Sequence, residues 1–179
     1  MKHLLSFAHG IDWINDRFGE FAKWAAILSC LISCANALVR YTFSISSNGW
    51  LEVQWYLFAA CVMLGAAQVL RVNEHVRVDV FYGQLESRRK VFVDLFGLVL
   101  FLIPTMALMA YLSAPLFLKM YETHEMSNNA GGLVRWPAML MLPLGFSLVL
   151  LQGVSEIIKR IAWLTHGYNM DIHYERPLQ

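Results

Sequence analysis

The chain has 179 residues, of which 58% are hydrophobic and only 15% charged, with a formal net charge of +1. Ordinary soluble domains carry about 25% charged residues, so this composition excludes one. The net charge says nothing about nucleic acid, and no basic run or aromatic platform suggests it, so no nucleic-acid partner is expected.

The N-terminal stretch has Leu4, Phe7, Ala8, Ile11, Ile14 and Phe18 at helical spacing, opposite Lys2, Ser6, His9, Asp12, Asn15 and Asp16. It predicts an amphipathic helix over residues 1–20 lying in the membrane interface, the alternative being an unstructured start. It lacks the long apolar core and small-residue cleavage site of a signal peptide. Four long apolar stretches follow, at about 21–43, 50–70, 91–118 and 136–158, each near the ~20 residues that cross a bilayer as a helix. The fold class is therefore an all-α integral membrane protein with a four-helix membrane domain over 21–160 and a tail over 161–179.

The first span carries small residues at intervals of four, Ala25, Ser29, Ser33 and Ala37, and the second a comparable patch around Gly65. Small residues let helices approach closely where lipid offers no hydrophobic drive, so these faces predict helix–helix packing. Arg40 and Glu52 flank the short turn Ser44–Gly49, and an ion pair between them would clamp the first hairpin. Ionisable residues within membranes mark transport paths, but none lies at the middle of a span here. Asp94 and Glu156 sit near the ends of the third and fourth spans. In the segment 71–90, Val78, Phe81, Tyr82 and Leu85 fit one face of a short in-plane helix. Ser87 is placed to cap the third span ahead of Arg88, Arg89 and Lys90. Pro104 predicts a kink in that span and Pro115 the start of its end. The loop 119–135 is polar and flexible in composition. Its Glu122, Glu125, Ser127, Asn128 and Asn129 form either a docking surface for a soluble partner or a plain connector. Trp136 and Pro137 open the fourth span, with Pro137 in the first turn.

With four spans, the N-terminus, the second loop and the tail share one side. That side holds eleven of the fourteen Lys and Arg residues; Arg40, Lys119 and Arg135 lie opposite. The positive-inside rule then places both termini in the cytoplasm. All six histidines fall outside the spans, against a haem held between helices. Cys30 and Cys34 lie on one helical face without further ligands, which reads as packing. No cofactor or metal is expected, and no catalytic motif is present.

The run Arg71 to Val80, containing His75, Arg77 and Asp79 and followed by Ser87, Arg88 and Arg89, resembles the small membrane subunit (DctQ-type) of tripartite ATP-independent periplasmic (TRAP) transporters. Asn36, Arg40, Tyr41, Trp50, Glu52, the Arg135-Trp136-Pro137 ending and Gln152-Gly153 also fit. The resemblance covers about 20–160. Glu52 is followed by Val53, where the family often has a second acid. The resemblance implies a non-enzymatic scaffold subunit in the bacterial inner membrane. It would brace a large permease subunit that imports an organic acid, delivered by a periplasmic binding protein and driven by an ion gradient, usually sodium. Two other classes compete: a membrane anchor of a redox complex, opposed by the histidine positions, and a small self-assembling multidrug exporter, which needs an acid inside its first span.

Overall fold

A computed structural model describes residues 1–73, 82 and 85–168. The motif residues His75, Arg77 and Asp79, and most of the expected in-plane helix, lie outside them. Four long helices account for the described chain: α1 Lys2–Phe43, α2 Asn48–Arg71, α3 Ser87–Thr123 and α4 Trp136–His166. All four are long and apolar enough to cross a membrane. Two loops, 44–47 and 124–135, lie at one end, here the loop end. The first residues of α1, the end of α2, the start of α3 and the last residues of α4 lie at the other, here the terminal end.

Every helix outruns its apolar stretch. α1 is a continuous helix of 42 residues, about 63 Å at 1.5 Å per residue, against a hydrocarbon core of about 30 Å. Residues 2–20 are therefore the first half of α1, not a separate element. The two expected faces are divided between inside and outside: Ala8 and Ile11 of the apolar face are buried, and Lys2, Ser6 and His9 of the polar face are exposed. Asp12 and Asn15 are buried, whereas Leu4, Phe7 and Ile14 are exposed. The reason is α4, whose polar residues meet this stretch of α1 and draw Asp12 and Asn15 inward. The helix ends where Ser44 turns left-handed, at φ 56°, and its N–H bonds to the Arg40 carbonyl at 3.0 Å.

α3 begins at Ser87 itself, with Glu86 as the preceding cap and no side-chain cap bond, so Ser87 is a first-turn residue and not the cap. Its middle widens into a π-helical turn over Leu98–Leu102, directly before Pro104. Pro104 has no N–H and its ring would collide with the carbonyl four residues back. The wider turn moves that carbonyl away. The Ile103 N–H accordingly reaches back to the Leu98 carbonyl. Pro115 does not begin the end of the helix, which runs on to Thr123.

α4 is the hub. It packs against α1, α2 and α3, while α1 and α2 also pack on each other and, among the described residues, α3 makes its main contacts with α4. The buried core is Ala25, Ala60, Leu64, Ala67 and Leu148, contributed by α1, α2 and α4, with Phe18, Leu57, Cys61, Met141, Leu144 and Val149 around it. α3 adds nothing to it. Small residues set the helix spacing. A Cβ on Gly65 would lie 3.4 Å from Ala22, which places α2 hard against α1. A Cβ on Gly145 would lie 2.7 Å from the Met63 carbonyl oxygen, so α4 and α2 meet nearly backbone to backbone. Gly153 gives α4 room for Leu102 and Ile103, at the end of the π turn.

Of the small-residue row on α1, Ala25 and Ser29 are buried against α2, and the Ser29 hydroxyl donates to the Gln54 carbonyl at 3.1 Å. Ser33 is half-buried and Ala37 exposed. Cys61 borders the core; Cys30 and Cys34 face outward.

Candidate functional site: a polar lock at each end

At the terminal end, about two and a half turns of α4 present Gln152, Ser155, Glu156, Lys159 and Arg160 at helical spacing. All are buried, as are Asp12 and Asn15 on α1. Lys159 Nζ lies 2.8 Å from the Asp12 carboxylate and 2.8 Å from Glu156 Oε1. Gln152 Nε2 donates to Asp12 at 3.0 Å and to Glu156 at 3.1 Å, while its oxygen accepts from Asn15 Nδ2 at 2.6 Å. The Ser155 hydroxyl sits between Asp12 Oδ1, at 2.9 Å, and the Ala8 carbonyl, at 3.2 Å. Arg160 bonds Glu156 on its own helix and reaches Asp94 on α3 at 3.1 Å. Asp94 also accepts from the Tyr82 hydroxyl at 2.9 Å. Nearby, Arg71 at the end of α2 pairs with Asp16 on α1 at 2.6 Å.

This network ties α1, α3 and α4 through three acids and two bases. Ions of both signs can share a dry site only when each is paired and hydrogen-bonded, and here each carboxylate meets a base and further donors. Its chemistry is cohesive: each of these five charged groups is paired inside the chain, while Asn15 Oδ1 beside them is buried without a bond.

At the loop end, Glu52, in the first turns of α2, is buried with 3% exposure. Its carboxylate accepts from the Ser127 hydroxyl, from Asn129 Nδ2 at 2.9 Å and from the Leu133 N–H at 2.6 Å. The expected Arg40–Glu52 clamp is not formed: the loop 124–135 folds over Glu52 and fills its acceptor sites, while Arg40 is exposed. The loop is itself pinned. The Ser127 N–H bonds the Leu133 carbonyl, the Arg135 N–H bonds the Glu125 carbonyl, and the Met126–Val134 bridge closes a short antiparallel pair. The Arg135 guanidinium pairs with Glu125 at 2.6 Å. The Tyr56 hydroxyl donates to the Val134 carbonyl at 2.8 Å, and Asn48 Nδ2 to the Ala130 carbonyl at 2.9 Å. A Cβ on Gly132 would lie 2.6 Å from the Ser127 Cβ and 2.9 Å from Glu52 Oε1, so only glycine fits there.

Of the proposed docking residues, Ser127 and Asn129 thus hold Glu52 and Glu125 holds Arg135, while Glu122 and Asn128 are exposed. The loop described as flexible by composition is a folded cap on α2. Sequence reasoning missed the inward set Asp12, Asn15, Lys159 and Arg160. A signal was present: Asp12, Asn15, Gly19, Ala22, Ala25 and Ser29 follow one another at intervals of three and four, a single unbroken face. Among the described residues no group of His, Cys, Asp and Glu is placed to hold a metal ion.

The family model described as "Tripartite ATP-independent periplasmic transporters, DctQ component" matches residues 29–162, well over half of the chain. The match takes in the whole loop-end lock and the α4 side of the terminal lock; Asp12 and Asn15 precede it. No curated protein and no solved structure matches the chain.

Proposed function

The chain belongs to the DctQ component family of tripartite ATP-independent periplasmic transporters, and from that premise we propose that it is the subunit that holds still while its partner moves. It is a multi-pass membrane protein and a small component of a TRAP transporter, a family that works together with a large permease and a binding protein. In this reading it braces the large permease subunit in the bacterial inner membrane. That subunit imports an organic acid delivered by a periplasmic binding protein, driven by an ion gradient, with sodium as the coupling ion. The charge asymmetry of the sequence supports both termini in the cytoplasm, so the terminal lock faces inward and the loop end faces the periplasm.

The observation that carries the reading is that both ends of the bundle are cross-tied within the chain. A moving gate needs elements that separate at low cost. Here separating α1 from α4 would strip Asp12, Lys159 and Glu156 of their partners together, and breaking a buried pair costs about 3–5 kcal/mol. The charged groups of the terminal lock are consumed in cohesion between the helices.

Co-expression with the large permease subunit should yield a one-to-one complex. Sodium-dependent uptake of an organic acid into vesicles should require this chain. Undiminished uptake from vesicles that contain only the large subunit and the binding protein would refute the bracing role.

A further inference from the structure

The packing face of α1 does not stop where α2 stops covering it. Ala22, Ala25 and Ser29 are buried. The same stripe continues through Ser33 and Asn36, both half-buried, to Ala37 and Arg40, both exposed. At 100° per residue these last four lie within about 100° of arc, on the side that Ala22 and Ser29 occupy. Among the described residues Asn36 makes no side-chain hydrogen bond and Arg40 no ion pair. One turn before Asn36, Ile32 borders a cavity of about 560 Å³ shared with Trp50, Val53 and Leu133.

Depth decides what belongs there. Asn36 lies seven residues from the end of α1, about 10 Å inside it at 1.5 Å per residue. Lipid tails give an amide nothing to bond with, and a polar group without a partner in hydrocarbon costs several kcal/mol. A lipid phosphate could neutralise Arg40 but would not reach Asn36. A helix could serve both: small residues at Ser33 and Ala37 admit a close backbone, and a polar side chain on it would answer the Asn36 amide. One outward face of α2 differs. On α2 the face with Trp55, Phe58 and Val62 is wholly apolar and suits lipid.

We propose that the loop-end half of α1, through Ser33, Asn36, Ala37 and Arg40, is the docking stripe for one transmembrane helix of the large permease subunit. That helix carries a carboxylate opposite Arg40 and a hydrogen-bonding side chain one turn deeper. The proposal rests on the scaffold reading above and adds where the contact is made.

The test uses the full complex in membranes. A photo-cross-linking amino acid replaces Ala37 in one variant and Phe58 in another. The expected result is an adduct with the large subunit from position 37 and lipid adducts alone from position 58. Arg40→Glu should lower recovery of the large subunit about tenfold or more, and Arg40→Lys should retain most of it. Because both replaced side chains are exposed, folding of this chain should be unchanged, as melting of the purified variants would verify. Lipid adducts alone at position 37, an adduct there to a second copy of this chain, or full recovery with Arg40→Glu would each overturn the proposal. Failure of the unsubstituted chain to recover the large subunit at all would instead sink the scaffold reading, and the stripe with it.

Discussion

Three acids and two bases close the terminal end of the bundle, each within about 3 Å of an opposite charge. The loop end is closed by one acid, Glu52, held by a hydroxyl, an amide and a backbone N–H, with no base in direct contact. The first arrangement joins helix to helix, from α1 through α4 to α3. The second joins a helix to a loop. The difference teaches how each would fail. A charge removed from the terminal end leaves its partners charged and stranded across a helix interface, so the whole bundle suffers. A bond removed at the loop end frees a short segment while the helices below remain packed on Ala60, Leu64 and Leu148.

Lys159→Met should produce the largest effect. It removes the one ammonium between Asp12 and Glu156 and should destabilise the bundle by about 3–5 kcal/mol, read as a lowered melting temperature in detergent. Adding Asp12→Asn to that variant should recover part of the loss, because the stranded charge goes with it; a double variant no better than the single one would contradict the paired-ion description. Gly132→Ala should cost less, about 1–3 kcal/mol by overpacking, and the loss should be confined to the loop end. Hydrogen exchange would then rise over residues 124–135 and stay level in α4. For Glu52→Gln the expected change is smaller in extent still. An amide in place of the carboxylate faces three donors with one acceptor oxygen, so protease should nick the 124–135 loop while the melting temperature of the bundle barely moves. At the bottom of the scale is Asp16→Asn. Both partners of the Asp16–Arg71 pair are about a third exposed, and such pairs contribute less than about 1 kcal/mol.

How much of this could be read beforehand follows the range of the interactions involved. The four spans were legible because a run of apolar residues is a local signal. So was the packing of Ala25 and Ser29, which depends only on spacing within one helix. The partner of Glu52 was not legible. Arg40 is twelve residues away and of opposite charge, yet the carboxylate is taken by Ser127, Asn129 and Leu133, more than seventy residues away. Nothing local to either segment specifies that pairing. The inward turn of Asp12 and Asn15 failed for a related reason. Polar residues on a helix near a membrane read as water-facing until a second polar helix is known to lie alongside, and Gln152 and Lys159 are that second helix. Pro104 announced a disturbance in α3, but whether the helix would bend or widen depended on how Leu102 and Ile103 meet Gly153 across the interface.

The position of α4 at the centre of the bundle has a consequence for how the protein is made. α4 is the last of the four helices to leave the ribosome, and it is the one that α1, α2 and α3 all pack against. Until it enters the bilayer, the α1–α2 hairpin can form through Gly65 and Ala22, but α3 lacks its main packing partner, and Asp12 and Asn15 lack the polar groups of α4 that hold them. Completion of the bundle therefore waits on the final helix.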